Sequence, residues 1–292
     1  MKKFIISLFT VAIAAIGCNA QLLWKVSGNG LEKPSYIFGT HHIAPLSVLD
    51  SVAGFNEALA GVDKVYGELV MSEMTSPAAQ QTMMTYAMAP QDSTLTAVLT
   101  PAQADSLTAI LRKYMGPMVE AANFAPMKPA MVATALAMVQ AQVAFPNFNP
   151  QEQLDTEIQK RAAAAGKEVG GLETMEDQCK AIFGNSILEQ ANDLMDAVRH
   201  DDRSIEMAQK LANAYLAGDL QQMLSIIEDP TFGTGEATER LLNKRNANWV
   251  RVMAGLLPTA SVLIAVGAGH LPGDKGLISL LRKEGYTVTP VK

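Results

Sequence analysis

Apolar residues follow two rhythms along the chain. Near both ends they stand in short, almost unbroken runs of the kind that form buried strands. Between the ends they return every third or fourth position, as on the buried face of a helix. Residues 22–28 read as a first strand, Asn29-Gly30 as a turn and residues 35–38 as the returning strand, a predicted β-hairpin. A loop holding Pro45 leads into a helix over about residues 48–59 and a strand over 62–70. Strand, loop, helix, strand is the outline of a parallel βαβ unit. From Ser76 to about Asn149 the chain becomes rich in Ala, Met and Gln, with helical spacing over residues 77–88, 101–114 and 129–143. Further helices are predicted over residues 151–165, from 175 onward, and over 187–199, 204–227 and 236–257, with a break at 230–235. One short strand, 167–172, lies among them. Residues 261–266 are a strand, 276–284 a helix and 286–291 a final strand.

The last unit therefore repeats the first. The expected fold class is α/β, with a mixed central sheet built from N- and C-terminal β-(Gly-x-x-His)-α-β units. A large, mainly helical insertion at about 76–150 and further helices at about 175–257 separate the two, all within one domain spanning 21–292.

Composition narrows the function classes. A hydrophobic content of 49% leaves ample material for a core. The net charge of −6 comes without any basic run, which excludes a nucleic-acid partner and leaves no footprint for anionic lipid. Residues 1–20 read as an export signal: Lys2 and Lys3, an apolar run over 4–17 too short to span a bilayer, then small residues. Ala15-Ile16-Gly17-Cys18 resembles a lipobox that would leave Cys18 lipidated; alternatively Ala20 before Gln21 ends an ordinary signal peptide. The expected location is the periplasm, or a lipid-anchored position on the bacterial envelope with Cys18 as the sole membrane attachment. Either cut leaves Cys179 as the fold's one cysteine, so no internal disulfide is expected.

The candidate chemistry gathers in two segments. Tyr36-Ile37-Phe38-Gly39-Thr40-His41-His42 and Leu263-Ile264-Ala265-Val266-Gly267-Ala268-Gly269-His270 each run from an apolar strand to a glycine, two residues and a histidine. The chain has 4 histidines, and only His200 lies outside these segments. A histidine just past the end of a buried strand lies where ligands and metals meet an open sheet. Gly39 and Gly267 suit a strand that turns sharply or lets a ligand approach its backbone. Glu68, near the end of an otherwise apolar run, reads as a metal ligand, a general base or an exposed strand end. Two histidines and one carboxylate would leave positions open for water or substrate at a hydrolytic metal site. Two core histidines bonded to backbone are the plain alternative. Arg245 falls on the apolar face of its helix. It is suited to a substrate carboxylate, an oxyanion, or a pairing with Glu68 or Glu173; a cation–π contact with Trp249 is the structural reading. Asn246 adjoins it. His41 is a ligand or a support for His42, while Asp155 and Glu173 by themselves read as structural.

These segments, with Tyr66-Gly67-Glu68-Leu69, Leu154-Asp155-Thr156-Glu157, Gly170-Gly171-Leu172-Glu173-Thr174, Arg245-Asn246 and Leu271-Pro272-Gly273, resemble the TraB/GumN family, which includes the Tiki membrane metalloproteases. The resemblance implies an α/β fold related to haem-binding ChaN proteins and erythromycin esterases. It places the metal set on His42, His270 and Glu68, and its pattern at Arg245, Asp155 and Glu173 marks these as supporting the site; His41, Gly39, Gly267 and Asn246 are counted in support from their positions, and Glu68 and Arg245 are the candidate catalytic residues. The implied metal is manganese or cobalt, with zinc and iron as further candidates, and the implied activity is a metal-dependent hydrolase, a peptidase acting on a peptide or protein substrate. The competing expectation is a non-catalytic envelope protein that binds or sequesters a peptide or a haem-like ligand in the same cleft.

Overall fold

The computed structural model describes residues 21–143, 145–149, 152–229 and 235–292. The predicted signal with Cys18, all but the last residue of the break predicted at 230–235 and the first residue of the helix predicted at 151 lie outside the described residues. Six strands form one mixed sheet: β1 (Leu23–Ser27), β2 (Ser35–Thr40), β3 (Lys64–Gly67), β4 (Glu168–Gly171), β5 (Val262–Gly267) and β6 (Thr287–Pro290), in the order β4-β3-β5-β2-β1-β6. The first four in that order are mutually parallel, while β1 runs antiparallel to β2 and β6. The α/β class and the joining of the two chain ends are as expected. β5 lies centrally, and every residue from Val262 to Val266 is buried, which explains its unbroken apolar run. At the edge, β6 alternates instead, with Val288 buried between exposed Thr287 and Thr289.

The helices sort by what they cover. α1 (Ser47–Ser51) and α2 (Phe55–Gly61) carry the chain from β2 to β3. α3 (Pro77–Ala87), α4 (Leu95–Val98), α5 (Pro101–Met115) and α6 (Pro129–Ala141) make up the insertion. Thr100 caps α5 through Gln103 N–H, and the Gln103 side chain answers to Thr100 N–H. α7 (Leu154–Ala164) and α8 (Met175–Phe183) flank β4 in sequence, and α9 (Ile187–Arg199) packs back on the insertion. Leu95, Leu107, Leu111, Leu136 and Leu194 form a core there, separate from the one on the sheet. α10 (Asp201–Leu216) ties into this part through buried Asp201, which accepts from Lys113 Nζ at 2.5 Å, Tyr114 OH at 2.8 Å and Gln140 Nε2 at 2.7 Å. α11 (Leu220–Ile227), α12 (Gly235–Thr238), α13 (Lys244–Leu256) and α14 (Leu277–Lys283) complete the chain. Among the described residues no helix is long and apolar enough to cross a membrane.

Several boundaries differ from expectation for identifiable reasons. The helix predicted over 48–59 is two, because Gly54 adopts φ 76° between α1 and α2. The one predicted over 204–227 is also two: Gly218 at φ 64° follows the end of α10, and the Asp219 side chain caps α11 by accepting from Gln222 N–H. In the stretch predicted as helix over 236–257, Glu239–Asn243 is a π-helical turn, with Lys244 N–H bonded to Glu239 C=O. β3 ends at Gly67, so Glu68 stands just beyond the strand.

Candidate functional site

Three neighbouring parallel strands open onto one end of the sheet. β2 delivers Thr40, His41 and His42, β5 delivers Gly267 and the 3₁₀ turn Ala268–His270, and β3 delivers Glu68. In the β2–β5 ladder Gly39 faces Val266 and Thr40 faces Gly267, so the two Gly-x-x-His motifs lie side by side, offset by one residue. Both glycines are explained by close approach. A Cβ on Gly39 would sit 2.9 Å from Ala268 Cβ, and one on Gly267 would sit 3.3 Å from Glu68 Oε1.

Glu68, Glu173, Arg245 and His270 form one buried network. Arg245 Nη2 donates to Glu68 Oε2 at 2.5 Å and to Glu173 Oε1 at 2.7 Å, while its Nε donates to Glu173 Oε2 at 3.0 Å. Nη1 donates to Leu241 C=O at 3.0 Å and to His270 Nε2 at 3.1 Å. The Glu68 carboxylate also accepts from Gly267 N–H at 2.9 Å, with His270 Nε2 3.8 Å from the same oxygen. The guanidinium lies 4.6 Å over the Trp249 ring, which stands 4.4 Å from the His270 ring, and Trp249 Nε1 donates to Glu173 Oε2 at 3.0 Å. The cation–π contact and the carboxylate pairings of Arg245 are thus both present.

Asn246 sets the tautomer of His270. Its amide nitrogen donates to the carbonyls of His270 (3.2 Å) and Lys275 (2.9 Å), so its oxygen must accept from His270 Nδ1–H at 2.7 Å. The hydrogen on Nδ1 leaves the lone pair of His270 on Nε2. His42 is oriented in a parallel way. Its Nδ1 lies 3.4 Å from Asp155 Oδ2, and Asp155 Oδ1 accepts from Thr40 Oγ1 at 2.8 Å. Asp155 comes from the first turn of α7.

Burial and neighbouring charge set the protonation states. Burial lowers the His270 pKa to about 3, so its imidazole is neutral at neutral pH. Burial pushes the Glu68 carboxyl up, but surrounding positive charge (His270 where protonated, Arg245 always) and the Gly267 N–H bring it down to about 2. The hydrogen bond to Asp155 raises the His42 pKa; that side chain is 62% exposed, so solvent screens the pairing.

Glu68, Glu173, Arg245, Asn246, Gly267 and His270 come together directly. His42 and Asp155 form an adjacent pair, coupled through space to Glu68 and Arg245. His41 enters neither network. Its ring lies against Phe145 and Tyr215, with centroids 5.3 and 5.1 Å away, its Nδ1 is buried without a partner, and burial lowers its pKa to about 4. Sequence reasoning missed Gln178, whose amide bridges Glu68 Oε2 at 3.4 Å and Glu173 Oε1 at 3.2 Å, and the Thr40 hydroxyl on Asp155. Thr40 carried a signal, being the one polar residue among buried neighbours in β2 beyond Ser35; Gln178 carried none.

The donor set suits a divalent transition metal in kind. Two imidazoles, each with Nδ1 against an oxygen, stand near a carboxylate, and an oxygen on Nδ1 is how proteins orient histidines that bind metal through Nε2. The ligating geometry is not formed: among the described residues no three His, Cys, Asp or Glu side chains are grouped to hold an ion, and Arg245 lies on His270 Nε2 and Glu68 Oε2.

Over 92% of its length the chain is 24% identical to metalloprotease TIKI1 of Danio rerio, and equally so to metalloprotease TIKI2 of the same organism. It spans 62% and 60% of those two curated relatives. No solved structure gives a significant match. The model of the TraB/PrgY/gumN family matches residues 22–290, nearly the whole described chain, and the protein belongs to that family.

Proposed function

We propose that this protein is an exported, metal-dependent hydrolase that cleaves peptide bonds. The observation that carries the reading is the delivery of His42, His270 and Glu68 to one end of the sheet by three adjacent parallel strands, with both imidazoles anchored through Nδ1. Similarity to two proteins described as metalloproteases supports the reaction class.

His42 and His270 would hold the ion, with Glu68 as third ligand or as base. When bound, the metal supplies a Lewis acid that polarises the scissile carbonyl. Glu68, ionised at neutral pH, is able to accept a proton from attacking water. Arg245 is placed to receive negative charge on a substrate oxygen or to hold a substrate carboxylate. Asn246 and Asp155 keep the imidazoles in the tautomer that presents Nε2. Glu173 and Trp249 hold Arg245 from behind.

Elemental analysis of the purified exported form, coupled to cleavage of a peptide library, tests the reading. Stoichiometric transition metal and cleavage are expected, both lost in the His42→Ala/His270→Ala double variant. Wild type that stays metal-free after reconstitution with manganese, cobalt, zinc and iron would refute it. Peptide capture without cleavage, or a Soret band on haem titration, would establish the sequestering alternative instead.

A further inference from the structure

The guanidinium of Arg245 covers the donor atoms that the proposed ion would use. Nη1 stands 3.1 Å from His270 Nε2 and Nη2 2.5 Å from Glu68 Oε2. Asn246 already occupies Nδ1–H, so the Nε2 lone pair is the one that Nη1 donates to. One lone pair cannot serve an N–H and a metal together. The same guanidinium has a second seat. There Glu173 takes Nε at 3.0 Å and Nη2 at 2.7 Å, and is itself steadied by Trp249 Nε1 at 3.0 Å and Gln178 Nε2 at 3.2 Å. Two carboxylates thus share one fixed cation, and only one of them lies beside the motif histidines.

We propose that Arg245 is the resident counter-cation of this site and exchanges with a divalent metal: the ion takes His270 Nε2 and Glu68, and the guanidinium withdraws onto Glu173. The inference rests on the metal reading above and adds a role for residues that bind no metal. Without an ion, Arg245 keeps Glu68 from standing as an uncompensated buried charge. With an ion, Glu173 keeps the displaced guanidinium paired, which limits repulsion between neighbouring cations. The two carboxylates therefore raise metal affinity by different routes: Glu68 attracts the ion, whereas Glu173 draws away its competitor.

Trp249 reports the exchange, because its ring touches both Arg245 and His270 and its N–H is on Glu173. In a Trp24→Phe background Trp249 is the sole tryptophan. Its emission is followed while manganese or cobalt chloride is added, with elemental analysis after dialysis as a second readout. A saturable change is expected in the parent. Arg245→Met should bind the ion about ten-fold tighter, equivalent to about 1.4 kcal/mol, and Glu173→Gln should bind it more weakly. Methylguanidinium should compete with the ion in Arg245→Ala and not in the parent. Equal or weaker binding by natively folded Arg245→Met overturns the exchange. Should that variant fail to fold, unchanged affinity in Glu173→Gln overturns it instead. If neither the parent nor any variant takes up metal by either readout, the metal reading itself fails and the exchange falls with it; loss of uptake only in His42→Ala and His270→Ala leaves the metal reading standing, whatever the Arg245 and Glu173 variants show.

Discussion

Replacing Arg245 with methionine removes the charge that holds two buried carboxylates together. The Arg245, Glu68 and Glu173 side chains are 13%, 11% and 5% exposed, so none of the three is free to rehydrate in place. The guanidinium makes one contact with Glu68, two with Glu173, one with Leu241 C=O and one with His270 Nε2. Breaking a buried pair from one side costs about 3–5 kcal/mol, because the partner's charge remains without compensation. Here two partners remain, although Gly267 N–H, Gln178 and Trp249 Nε1 still donate to them, so the loss should fall within that range and not double it. At about 2–4 °C per kcal/mol for a chain somewhat above 150–250 residues, the melting temperature should drop by roughly 6–20 °C. Urea unfolding at pH 7 measures the free energy directly. Adding Glu68→Gln to Arg245→Met should recover part of the loss, since a neutral amide beside Gly267 N–H leaves no stranded charge, and the double-mutant cycle gives the coupling. A loss below about 1 kcal/mol at pH 7 would mean that these carboxylates are solvated, and the account of the network would be refuted.

Acid should weaken the fold through two groups of the same site. His270 is held near 3 against an ordinary 6.5, and Glu68 near 2 against 4.5. The unfolded chain binds the extra protons, so stability present at neutral pH is lost as pH falls, from 6.5 toward 3 for His270 and from 4.5 toward 2 for Glu68. Urea midpoints measured at pH 7, 5, 4 and 3 should decline steadily, and Glu68→Gln should flatten the lower half; an unchanged profile in that variant would refute the assignment. Asn246→Ala should cost about 1–3 kcal/mol from its buried bonds and, on the metal reading, weaken retained metal by roughly 10–100-fold; full retention measured by elemental analysis would separate the amide from the imidazole it orients. Gly39→Ala forces a methyl to 2.9 Å from Ala268 Cβ and should destabilise by about 1–3 kcal/mol in urea; a neutral result would show that the turn holding His270 moves freely.

What the sequence revealed of the site came from residues that broke a pattern. Glu68 and Arg245 were visible because each sits where its neighbours demand burial, and a charge in such a place must find a partner. The paired Gly-x-x-His motifs were visible because short apolar runs fed both. The division of labour between His41 and His42 was not legible: adjacent residues leaving a strand face opposite ways, and only the position of Asp155 and of the Phe145–Tyr215 side decides which one meets the site. Gln178 was hidden because a polar residue on a helix has no reason, from spacing alone, to point inward. The helix breaks at Gly54 and Gly218 depend on left-handed backbone that a helical run of apolar residues overrides on paper. The π-helical turn ahead of α13 left no mark, since its residues read as ordinary helix formers.

The insertion of β5 between β2 and β3 has a consequence for how the molecule comes into being. Gly267 N–H closes on Glu68 across 199 residues of chain; β2 has β1 and β3 has β4 as earlier partners, but nothing joins the two pairs until β5 emerges. Pairings this remote fold slowly, because loop closure comes before any reward. A nascent or truncated chain ending before Val262 holds His42 and Glu68 on unjoined strand pairs, and gains a site only once β5 has been added.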